Sequence, residues 1–171
     1  MHDALCGLYS ITNAISNIYR LSSDDREKLF KHLIKRLDKD KYVTHAVIDG
    51  TYKEHINDLL KAATAYMEKK HAVRIIAKPI FKRKAGVGLS KYWQTLTTFL
   101  EASKKRAVII GMHGRYDHWT TVQSMEELSM KLLDSCGVRH LRRQSCRIGR
   151  PYTAKFYHLI PSQVWGLRLK D

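Results

Sequence analysis

The chain has 171 residues, 44% of them hydrophobic, which suffices for one domain, 1–171, that buries its own core without disulfide or metal support. Its 31 Lys and Arg stand against 16 Asp and Glu, a formal charge of +15 that draws anions: nucleic acid, an anionic membrane surface or an acidic protein. Cys6, Cys136 and Cys146 show no CxxC spacing, which argues against a disulfide framework and a zinc site, while no apolar run approaches the roughly 18 residues of a membrane span or has the layout of a signal peptide.

Residues 6–18 carry Leu8, Ile11, Ile15 and Ile18 at helical spacing. Ser22 or Ser23 caps a second helix with Asp24, Asp25 and Glu27 in its first turn and Leu29, Leu33, Ile34 and Leu37 as its buried stripe. A third helix, about 51–69, buries Ile56, Leu59, Leu60, Ala63 and Met67. "AVRIIAKPI" reads as a strand. "FKRKAGVGLS" reads as a loop able to serve as a lid, its AGVG too short and wrongly placed for a phosphate loop. A helix over about 90–103 follows, with Trp93, Leu96, Phe99 and Leu100. From there the pattern is β: "AVIIGM" suits a central strand, "HWTTVQSM" and "LSMKLLD" successive strands, and "KFYHLI" a strand ending before Pro161. The expected fold is α+β, a helical part of about 1–105 packed on a mainly antiparallel sheet of about 106–171, with the early helices and the late sheet sharing one core.

Cys6 sits at the mouth of the first helix. Exposed N–H groups and the positive end of the dipole favour a thiolate at such a position. A bland alternative is a small buried hydrophobe. Its partners come from the β half: a connection at 125–127 pairs 124 with 128 and sets His118 opposite Asp134, with β-carbons about 4.5–5.5 Å apart. A one-residue slip in register would part them to opposite faces. Together the three residues supply a nucleophile, a general base and acid, and a carboxylate that orients the imidazole. Gly7 leaves room for a substrate carbonyl, and Trp119 packs over or shields the pair. Asp117 reads as exposed, and His113 and Tyr116 as rim positions.

"LCGLYSITNAI", "HWTTV" and "LLDSCG" resemble the nucleophile helix, histidine strand and acidic strand end of the papain-like cysteine peptidases. The order and spacing are similar to those of the peptidases that cut double-glycine leaders from bacteriocin precursors, and of bacterial papain-like proteins with no assigned substrate. The resemblance covers residues 1–20 and 107–165. It implies a papain-like fold and catalysis by Cys6, His118 and Asp134. In that family a Gln about six residues before the nucleophile helps bind the oxyanion, whereas only five residues precede Cys6 here. His2, Asn13 or Gln94 are the candidate substitutes, beside the Cys6 backbone N–H; a start upstream of Met1 is another explanation.

The expectation is therefore a cysteine hydrolase, a peptidase working through an acyl-enzyme without a cofactor. Deamidation and acyl transfer use the same triad. A rival of another class is a non-catalytic basic binding module for nucleic acid or an acidic protein. The substrate is a protein or peptide, and the charge points to an acidic one. The chain is expected to be cytoplasmic, with export as an effector left open. A Cys6 sulfur within hydrogen-bond reach of His118 favours the enzyme over the binder.

Overall fold

Helix α1 (Cys6–Ile18) buries Leu8, Ile11, Ile15 and Ile18 as its spacing predicts. A computed structural model of the chain describes residues 5–39, 41–81, 86–149 and 152–170. Of the two candidate caps Ser22 is the one used: its Oγ accepts the Asp25 N–H at 3.1 Å and starts α2 (Ser23–Lys39). Leu29, Leu33 and Leu37 are buried there, and Ile34 is half-buried. Helix α3 (Val43–Asp49) buries only Ala46 and has no stripe for a sequence pattern to detect. Helix α4 (Lys53–His71) buries all five expected residues. Helix α5 (Leu89–Glu101) follows the loop, of which residues 82–85 lie outside the described set. No helix among the described residues is long and apolar enough to cross a membrane.

The strands are β1 (Ile75–Pro79), β2 (Arg106–Gly114), β3 (His118–Met125), β4 (Ser129–Leu133), β5 (His140–Arg142), β6 (Cys146–Ile148) and β7 (Tyr157–Leu169). They form one seven-stranded sheet in the order β1-β7-β2-β3-β4-β5, with β6 lying parallel to β7 and every other pairing antiparallel. The architecture is α+β.

The early helices and the late sheet share one core, as expected, but the sheet carries a second core on its other face. Successive side chains on a strand point to opposite faces, and both faces of β2 are covered. Ala107 and Ile109 join Trp119, Trp165 and Leu167 against α1, α2 and α4, while Val108, Ile110 and Met112 join Val122, Leu132 and Val164 against α5. That double cover is why "AVIIGM" is an unbroken apolar run rather than an alternating one.

Strand β7 is longer than expected because Pro161 does not end it. Residues 157–159 pair with β2 on one side and β6 on the other, and residues 165–169 pair with β1. Pro161 falls between these pairings, where no ladder donor is required of it.

α1 is fixed to the sheet by polar as well as apolar contact. Thr121 Oγ1 on β3 donates to the Ser10 carbonyl at 2.7 Å, fully buried. Thr121→Val, which keeps the shape and removes the donor, is expected to lower unfolding free energy by about 1 kcal/mol in urea titration.

Candidate active site

Cys6 opens α1, and the residue before it, Leu5, brings no side-chain acceptor to the helix end. The first turn of a helix presents N–H groups that no intrahelical carbonyl can take. The next position, Gly7, has a packing reason to be glycine. A β-carbon there would lie 2.1 Å from Thr51 Oγ1 and 2.7 Å from Ile56 Cδ1, so the missing side chain lets the 50–56 segment close on α1. Gly50 sets that segment up with φ 88°, a left-handed value that glycine adopts without strain. Thr51 is then buried, and its carbonyl accepts the Trp119 indole N–H at 2.6 Å.

His118 is the first residue of β3. Thr121 pairs with Leu133, so the same register sets Thr120 opposite position 134 and leaves His118 diagonal to it, two residues from the expected direct pairing. A shift of two preserves the face. The contact is made: His118 Nε2 donates to Asp134 Oδ2 at 2.6 Å, with the side chains 8% and 1% exposed. Asp134 is itself held by its loop, Oδ1 accepting the backbone N–H of Cys136 at 2.8 Å and of Val138 at 3.1 Å. With Nε2 committed to the carboxylate, Nδ1 is the ring nitrogen left for Cys6, whose side chain hydrogen-bonds to His118.

Burial pushes the His118 imidazole toward neutrality, but the hydrogen bonds and negative charges of Asp134 and Cys6 outweigh it and raise its pKa to about 10. For Asp134, burial raises the carboxyl. The hydrogen bond and charge of His118, helped by the Val138 N–H, overcome this and hold it below the usual carboxylate range. The arrangement thus stabilises an imidazolium between an acidic residue and a sulfur.

Cys6, His118, Trp119, Thr51, Met112 and Gln163 line one cleft of about 290 Å³. Two larger hollows, of about 360 and 390 Å³, lie between α4 and β1, away from these groups. The chain's positive charge is not gathered in the cleft, whose lining sets Lys53 and the His118 imidazolium against Asp49 and Asp117. Asp117 is 78% exposed and pairs with His113 at 2.7 Å, on the rim. Tyr116 is exposed and packs on Tyr157.

Among the candidate oxyanion donors, His2 lies outside the described residues. Asn13 is two turns along α1 from Cys6, with both ends of its carboxamide engaged: Nδ2 donates to the Leu133 carbonyl at 3.3 Å and Oδ1 accepts from Arg26 at 3.2 Å. Gln94 is exposed on α5, the helix that covers the other face of the sheet. Neither Asn13 nor Gln94 lines the cleft. Thr51 and Gln163 do, and pattern reading misses both. The Asp-Gly turn before Thr51 is a signal that could have found the first, whereas Gln163 lies beyond the proline that reads as a strand end.

Among the described residues one group could ligate a metal: atoms of His118, Asp134 and Cys136 lie within 4.8 Å of one another. The His118–Asp134 bond and the two N–H bonds to Oδ1 already use the His118 and Asp134 atoms, so an ion would have to break the pair. Cys146 is buried, and burial, partly offset by Arg147, pushes its thiol up to about 12. No protein-family model, curated protein or solved structure matches the chain.

His118 holds its proton more tightly folded than at its usual 6.5, so its contribution to stability is complete below that value and is lost as pH rises toward about 10. Asp134 works in the other direction, contributing above its usual 3.8 and losing the contribution on acidification. NMR titration of the His118 ring should find it charged at pH 8, with its midpoint lowered by Asp134→Asn; a His118 midpoint near 6.5 in the wild type would contradict the ion pair.

Proposed function

We propose that the chain is a thiol hydrolase of the papain-like kind, acting as a peptidase. The observation that carries this reading is the line of contacts from Cys6 through His118 to Asp134 at the end of a cleft. A nucleophile on a base that is in turn oriented by a third group is the general layout of covalent hydrolysis. A binding module has no use for a buried imidazolium beside a thiol. A nucleophile helix laid on an antiparallel sheet that supplies the histidine and the acid from neighbouring strands agrees with the papain-like resemblance.

The Cys6 sulfur attacks an amide carbonyl carbon, and His118 Nδ1–H gives its proton to the leaving amine. The acyl-enzyme is then opened by water, with the neutral imidazole as base. Asp134 keeps Nε2 protonated and the ring turned toward the sulfur throughout. Trp119, anchored to the Thr51 carbonyl, forms a wall of the cleft beside the ring. The substrate is a polypeptide. With Asp49 and Asp117 on the lining, any attraction of an acidic partner comes from the outer helix faces and not from the cleft.

Activity-based thiol electrophiles followed by mass spectrometry test this directly. Cys6 should be modified ahead of exposed Cys136 and buried Cys146, and preferential labelling of Cys136 would end the assignment. Asp134→Asn should keep the fold yet lower turnover by about 10²–10⁴-fold, the range for losing general acid–base function. Unchanged turnover would remove Asp134 from the mechanism.

A further inference from the structure

One side chain of the cleft has no task in these steps. Gln163 lines the cavity with Cys6 and His118, and its carboxamide has no hydrogen-bond partner among the described residues. It arrives there through an irregularity of β7. Ile110 pairs with Val164 and Met112 with Leu159, so Gly111 alone faces residues 160–163. Such bulges re-aim side chains and are over-represented next to active sites.

Gly111 makes the room for it. A β-carbon at 111 would stand 2.2 Å from the Gln163 carboxamide oxygen, 2.9 Å from its β-carbon and 2.8 Å from the Trp119 ring. Gly111 is not among the glycines with positive φ, so it is space and not backbone conformation that requires glycine here. Glycine inside a strand weakens it and marks the close approach of another group; here that group is the Gln163 carboxamide.

We propose that Gln163 is a catalytic residue, donating a carboxamide N–H to the carbonyl oxygen of the acyl group under attack. The inference rests on the thiol-hydrolase reading. As the Cys6 sulfur bonds to the carbonyl carbon, the C=O π pair moves onto oxygen. Gln163 Nε2–H and the Cys6 backbone N–H stabilise that anion. The pair then re-forms C=O as the bond to the leaving group breaks. A carboxamide suits the task because it donates without carrying a charge that must be desolvated.

The test uses two reagents on the full chain. p-Nitrophenyl acetate acetylates Cys6 through a tetrahedral anion and releases p-nitrophenolate. Iodoacetamide alkylates Cys6 by displacing iodide, with no oxyanion. Gln163→Ala and the size-matched Gln163→Leu should slow acetylation about 10²–10³-fold, as removal of an oxyanion donor does, and leave alkylation at the wild-type rate. Equal acetylation by wild type and both Gln163 variants would overturn the role of Gln163 and leave the hydrolase reading standing. Parallel loss of both reactions would make Gln163 structural and overturn it too. A wild type that iodoacetamide alkylates at Cys6 no faster than at Cys136, and that is not acetylated, would overturn the hydrolase reading and this inference with it.

Discussion

The burial of α1 from more than one side is the constraint on which everything else depends. Its apolar residues face the sheet, α2 and α4 in one core, and a helix so enclosed must also dispose of its polar side chains. Ser10 Oγ donates to the Cys6 carbonyl at 2.7 Å and Thr12 Oγ1 to the Leu8 carbonyl at 2.9 Å, each one turn back, so both hydroxyls are buried without penalty. Gly7 admits Thr51 on one side, and Thr121 grips the Ser10 carbonyl on another. The position of Cys6 is therefore a consequence of packing along the whole helix. A reactive group at a helix end is only as well placed as the helix is immobile.

The same economy governs the charged pair. Enclosing an imidazolium and a carboxylate is expensive unless every lone pair finds a donor. Here Oδ2 takes the ring N–H and Oδ1 two backbone N–H groups, which leaves the carboxylate well satisfied. Exposed pairs such as Asp24–Lys28 and Glu27–Lys31 on α2 are of a different kind. Pairs in that setting contribute little to stability, and because each is neutral they leave the +15 excess to other side chains.

Helices with a continuous apolar stripe were legible in the sequence, as the five buried residues of α4 show, because burial on one face leaves a 3.6-residue period. α3 was not, since a helix with one buried residue leaves no period. Cys6, His118 and Asp134 could be singled out because chemistry restricts the residue types. Their contact survived a two-residue error in register only because strand faces repeat every two residues. Asn13 and Gln94 were chosen for their carboxamides alone, and tertiary structure put one into a different hydrogen-bond set and the other on the far face. Gln163 was hidden by Pro161, which ends most strands but here sits at a bulge.

The place of β7 bears on how the molecule comes into being. It is the strand of the described sheet made last on the ribosome, yet it lies between β1 and β2, with β1 some ninety residues earlier in the chain. Until β7 emerges, both neighbours present open edges, and the pairing that closes them is of the long-range kind that makes folding slow. The β2–β3–β4 meander, built of consecutive antiparallel pairings, can form beforehand. The wall of the cleft that carries residue 163 cannot, so a nascent chain holds its thiol in an unfinished site until synthesis has passed the last strand.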